Sequence, residues 1–273
     1  MRMGLWIADE NDGLLCPFAD GPLCGGPLCL CASGNTVICA RTREAQVFAA
    51  DTGRLLNCYP LPPGVRCMRA LPDTLYCLSG EADNVSLLCP RSGQLRLCAQ
   101  AGCEPRDLAL SPCRRLLAAA GGASGRLYLY ESRDLTPLRA IPLPGIVYAA
   151  CFCAGGLAAL CAVEEGDICT CLYRVSARGV ATELLRLPGL PGALLPLPDG
   201  TLLLGVLGAL IHLRADARVL RRCRCGLPGR LRLYAGFALC TDTLEAKIMR
   251  VPLNGARTET LYTGSAPVDM LLL

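Results

Sequence analysis

Apolar residues come in short runs of four to eight, bounded by Gly, Pro, Asp or Ser, along nearly the whole 273-residue chain. Helical spacing is almost absent. Short runs with such boundaries read as strands joined by turns, which predicts an all-β protein. The clearest stretch is PRDLALSPCRRLLAAAGGASGRLYLYESRDLTPLRAIPLP, from Pro105 to Pro144. It divides into four strands: A (DLAL), B (RLLAAA), C (RLYLY) and D (TPLRAIPL). The connections are short and polar or Gly-rich, as antiparallel hairpins require.

The same unit recurs. Turns between strands C and D fall at Gly21, Gly53, Gly93, Asp134, Gly179, Ala217 and Gly255, spaced 32 to 45 residues apart. Counting from Gly255 through the C-terminus and on to Gly21 adds a further interval of 39 residues, so the repeat closes on itself. The last residues, APVDMLLL, read as a strand A with no B, C or D; the first, GLWIAD and GLLCPFAD, read as B and C with no A. Pairing the two ends would suppress an exposed sheet edge. This predicts one domain, residues 1–273, folded as a seven-bladed β-propeller of four-stranded antiparallel blades. The blade limits are 265–273 with 1–25, then 26–62, 63–102, 103–144, 145–188, 189–227 and 228–264.

Two of these units, VFAADTGRLLNCYPLPPG and EPRDLALSPCRRLLAAAGGASGRLYLYESRDLTPLRAIPLPG, resemble repeats of the YVTN and lactonase-like β-propellers. Such repeats have a Pro-x-x-apolar strand, a Ser-Pro-Asp-Gly turn and a strand ending in Asp-x-x-Thr-Gly. The chain departs from that pattern at SPCRR, where Cys113 and Arg114 replace Asp-Gly. WD-type repeats fit worse, since no Gly-His or Trp-Asp pair occurs and Trp6 is the sole tryptophan. The resemblance implies a propeller, and it makes sugar-lactone hydrolysis one expectation among others, because propellers host enzymes and binders alike.

Composition narrows the classes. Hydrophobic residues make up 52% and charged residues 18%, which excludes disorder. The formal charge of +4 is small for this length and argues against an electrostatic nucleic-acid binder. No apolar run reaches the roughly 18 residues of a membrane helix, and the start lacks the apolar core of a secretion signal. A cytoplasmic monomer is the expectation.

A four-stranded meander puts the B–C and D–A connections at one end of the propeller. By this count 14 of the 23 acids fall there, among them Asp9, Asp242, Glu81, Asp83, Glu164, Glu165 and Asp167. An acidic rim would attract a cation or a basic partner, although polar turns also collect acids merely to stay solvated. Aligning the starts of strand A on the preceding proline sets Arg66, Asp107, Tyr148, Arg230 and Asp269 at the channel mouth. Charges converging there could bind a small polar ligand, or could be structural ion pairs.

Other candidates weigh less. C-x-C occurs at Cys29/Cys31, Cys151/Cys153, Cys169/Cys171 and Cys223/Cys225, all in predicted strands. With one His in the chain and no C-x-x-C, a tetrahedral metal site is not expected, and buried free Cys behaves as a small apolar residue. Cys103 and Cys113 fall in connections and could be exposed. His212 reads as a strand residue. Arg218, Arg222 and Arg224 read as outward charge on an outermost strand, a device against edge pairing. No cofactor is expected. The expected role is therefore a binding or scaffold propeller whose partner is a protein or a small polar ligand, met at the acidic face and channel mouth. The second expectation is a lactone hydrolase drawing its base and oxyanion stabiliser from Asp107, Asp269, Arg66 and Arg230.

Overall fold

The computed structural model describes residues 4–154 and 156–273, and every regular element among them is a β-strand. The strands form seven antiparallel sheets arranged as a seven-bladed β-propeller. Blades 2 to 7 have four strands each, in sequence order from the channel outward. Their innermost strands are Cys29–Ser33, Val65–Leu71, Asp107–Leu110, Ile146–Cys153, Pro191–Pro196 and Pro228–Tyr234. Blade 1 is built from Pro267–Leu272 innermost, then Leu5–Asp9 and Gly13–Leu15.

The C-terminal strand therefore completes the N-terminal blade. Trp6 stands opposite Leu271 and Ala8 opposite Asp269. Gly4 and Leu273 exchange backbone hydrogen bonds of 2.9 and 3.1 Å. No fourth strand is assigned in blade 1. The returning chain covers its outer edge instead, with Leu14 N donating to Cys24 O at 2.7 Å and Leu23 N to Leu14 O at 2.8 Å.

Seven apolar clusters hold the ring, one between each pair of neighbouring blades. The middle strands are buried on both faces and so read as unbroken apolar runs, such as Leu202–Val206. Strand B carries a small residue at its fourth position in several blades: Cys39, Cys77, Ala119, Gly205 and Cys240. The three cysteines there are fully buried, and all the cysteines are free thiols. At these sites Cys acts as a compact apolar side chain where blades face each other closely.

The C–D turns share a left-handed residue, at Gly53, Gly93, Leu135, Gly179, Ala217 and Gly255. Glycine adopts that conformation freely, whereas Leu135 and Ala217 hold it against the clash of their Cβ atoms. Outermost strands are mostly exposed, including Val219–Arg224 with Arg222 and Arg224. Arg221 differs from these neighbours: it turns toward blade 7 and donates to Pro252 O at 3.0 Å and Ala256 O at 2.8 Å.

Two acids expected on the rim are instead buried within the fold. Asp9 and Asp242 close strand B of blades 1 and 7 and are 0% exposed. Asp9 accepts from Asn11 N and Asp12 N at 3.1 and 3.0 Å, and from Ser265 N and Ala266 N at 3.1 and 3.0 Å. It thus staples the B–C turn to the chain entering strand A. Asp242 does the same with Gly226 N at 2.6 Å and Leu227 N at 3.1 Å. Their charge stabilises turns and does not face solvent, because each carboxylate is used up by backbone donors.

Candidate functional site

At the B–C/D–A end of the channel lies a cavity of about 610 Å³. Its walls come from the entry of strand A in successive blades. Those entries are irregular. In blades 3 and 5 the A–B pairing skips one residue, leaving Arg66 and Tyr148 without a partner across the ladder. Blade 6 skips Gly192 and Ala193, blade 7 skips Gly229 and Arg230, and blade 1 skips Val268. Each skipped residue lines the cavity. A bulge re-aims a side chain out of the sheet, so five bulges build this wall.

The charges converge from opposite sides. Asp107, in blade 4, sits between two guanidiniums: Arg69 at 3.4 Å and Arg230 at 3.6 Å. Its other oxygen accepts from Ala150 N at 3.4 Å, and the Cys67 thiol lies 3.6 Å from Oδ1. Arg230 crosses from blade 7 and also donates to Arg66 O. Burial works against its charge, but the Cys67 sulfur, Asp269 and Asp107 more than offset this and hold Arg230 above its ordinary value. Arg106 lies with its guanidinium 4.3 Å from the centre of the Tyr148 ring, a cation–π arrangement. Its Nε is buried with no hydrogen-bond partner among the described residues. Its one carboxylate neighbour there, Glu104, is 3.7 Å away. Arg66 lies flat against Gly80, where any Cβ would strike its guanidinium.

Asp269 was expected at the mouth but lies below it, 2% exposed. Arg232 meets it at 2.7 Å, Leu30 N donates to it at 2.9 Å, and its own neighbour Met270 N does so at 2.9 Å. Burial pushes this carboxyl up, yet Arg232 and Arg230 hold it below the usual carboxylate range. The pair braces the channel wall and does not line the cavity.

The lining thus includes Arg66, Glu81, Asp107, Tyr148 and Arg230, together with Arg69 and Arg106, which the sequence reading passed over. Arg232 was also missed, although its spacing of two from Arg230 on one strand was the signal available. Four arginines face two carboxylates among the lining residues, so the mouth is net positive, where the sequence led to an expectation of arginines and aspartates together inside an acidic rim. Asp83, Glu164, Glu165 and Asp167 lie outside the cavity. Asp83 accepts from Glu104 N at 2.8 Å, and Glu165 pairs with Arg186 at 2.5 Å. His212 is remote from the mouth and bonds Thr201 Oγ1 at 2.7 Å. Cys103 and Cys113 are exposed in connections. No group of three or more metal-binding side chains occurs among the described residues. No described helix is long and apolar enough to cross a membrane.

No family model matches the chain, and no curated protein sequence matches it. Solved structures do. A "putative 6-phosphogluconolactonase" from Bacteroides uniformis superposes with a TM-score of 0.76 at 13% identity, covering 99% of both chains. A second protein of the same description, from Bacteroides fragilis, gives 0.75 at 11% identity over 99% of this chain and 98% of that one. A protein from Lactobacillus plantarum gives 0.75 at 14% identity over the full length of both. The Kuenenia stuttgartiensis hydrazine synthase gives 0.73 at 14% identity over 84% of this chain and 77% of that one. At such identities the likeness shows the fold alone, a seven-bladed β-propeller.

Proposed function

We propose that this propeller is a binding module that takes a small anion at its channel mouth. The observation that carries the reading is the charge of the cavity wall. Arg66 has no carboxylate partner among the described residues, and Arg106 has only Glu104 at 3.7 Å, outside the cavity, with the Tyr148 ring against its guanidinium, while Arg69 and Arg230 already hold one carboxylate, that of Asp107. A concave site with low-dielectric walls focuses such a field, and a planar guanidinium fork suits carboxylate or phosphate. The exposed acids Glu164, Glu165 and Asp167, on the blade 5 connection outside the cavity, favour anions that fit inside the mouth over polyanions that lie across the face.

The second reading is hydrolysis of a small sugar lactone, supported by the description of the Bacteroides neighbours. It needs a base free to take a proton. Asp107 is engaged by two arginines and Asp269 is buried under Arg232, which favours binding over hydrolysis. The test is calorimetric titration of the purified protein with gluconate, inorganic phosphate and acetate, beside a turnover assay on a lactone panel. Binding without turnover supports the module; turnover abolished by Asp107→Asn would establish the hydrolase. If no anion binds and no lactone is turned over, both readings fall.

A further inference from the structure

The cavity wall is divided around the ring. Blades 3, 4 and 5 supply Arg66, Arg69, Glu81, Arg106, Asp107 and Tyr148. Arg230 is rooted in blade 7, but its guanidinium reaches back across to Arg66 O and Asp107, so it joins the same side. The opposite arc runs through blades 6, 7, 1 and 2. It presents Leu194, Leu227, Pro228, Val268 and Leu28, with Thr42 and Thr243 its hydroxyls. The bulges on that arc carry small residues. A Cβ at Gly192 would strike Pro228 O, and one at Gly229 would come within 2.7 Å of the Thr243 methyl. The chain is thus kept thin there, and the space is walled by apolar atoms.

We infer that the ligand is a monocarboxylate with an apolar body, its carboxylate on Arg66 and Arg106 and its hydrocarbon part against the arc from Leu194 to Leu28. This rests on the anion-binding reading above and specifies its ligand. Three observations carry it. Charge is confined to one side, so a ligand anchored there must extend toward apolar atoms. The cavity is large enough to hold many waters, and water against the apolar arc finds few partners. Displacing such water by an apolar group strengthens binding. Finally, a polyhydroxylated ligand of the same charge would set several hydroxyls against Leu227, Pro228 and Val268, where only the side chains of Thr42 and Thr243 offer hydroxyls, an unfavourable burial.

The experiment is calorimetric titration with acetate, butanoate, hexanoate and 3-phenylpropanoate, against gluconate and inorganic phosphate as polar anions. Affinity should rise about four-fold for each methylene that reaches the apolar arc. Gluconate should bind no tighter than acetate. In Val268→Thr, which keeps the side-chain shape, and in Leu227→Ser the rise in affinity from acetate to hexanoate should flatten relative to the native protein. A flat series in the native protein, or gluconate binding tighter than hexanoate, overturns the inference and leaves the anion site standing. Failure of every anion to bind overturns both.

Discussion

The Arg230 guanidinium reaches across the channel mouth from blade 7 and stands 3.6 Å from the Asp107 carboxylate of blade 4. This contact joins two residues 123 apart in the chain, both of which line the cavity. Asp107 thereby acts as an internal counterion that offsets part of the positive charge the mouth offers an incoming anion.

Arg230→Gln should weaken anion binding by about ten-fold, roughly 1.4 kcal/mol, because the mouth loses a positive charge and Asp107 loses one of its two counterions. Asp107→Asn should act in the opposite direction and tighten it, because the mouth gains net positive charge. Titration with acetate and hexanoate reads both. Weaker binding in Asp107→Asn, with the melting temperature unchanged, would overturn the counterion role.

Asp269 ties stability to pH. Its carboxyl is held below the usual range by Arg232 and Arg230, despite burial. A depressed folded-state value contributes stability that is present above the unfolded value, near 3.9, and lost as pH falls through the folded value. Asp269→Asn should therefore cost about 3 kcal/mol or more at pH 7, since it leaves a buried Arg232 unpaired. The gap to the native protein should narrow below about pH 4. Denaturant melts at pH 7 and pH 3 decide it.

Ring closure can be followed through Trp6, the only tryptophan, which is 0% exposed and pairs across from Leu271. Deleting Pro267–Leu273 should open the seam between blades 1 and 7. The Trp6 emission should shift to the red and the melting transition should drop or broaden. An unshifted emission with native melting would show that closure contributes little.

The C–D turns separate strain from crowding. Gly255 has φ +91 with open space around it, so Gly255→Ala should cost about 1 kcal/mol. Gly93 has φ +69 and its missing Cβ would lie inside the Tyr59 ring, whose hydroxyl donates to Pro90 O at 3.1 Å. Gly93→Ala should cost clearly more. Ala217→Gly relieves φ +65 and should stabilise by up to about 1 kcal/mol. Urea melts of the three variants give the order.

Much of the architecture was legible before any coordinates. The repeat of apolar runs, the turn residues and the unmatched strands at the two ends follow from local rules: a strand buried on two faces must be apolar, and a left-handed turn favours glycine. The strands of blade 4 fell at Asp107–Leu110, Leu116–Ala120, Arg126–Glu131 and Pro137–Pro142, close to their positions in the sequence reading. The site was legible only in part. Aligning strands on their prolines found Arg66, Tyr148 and Arg230, yet gave no hint that a bulge is what frees each of them, because a one-residue slip leaves the hydrophobic pattern almost unchanged. The count of acids pointed to an acidic rim, since sequence shows which connection a carboxylate belongs to and not which donors consume it. Asp9 and Asp242 are taken up by backbone amides, and Asp269 by Arg232. Local periodicity thus determines strands, turns and blade number. The sign of the mouth depends on contacts such as Arg230 with Asp107, made between residues far apart in the chain, and these exist only once the ring has closed.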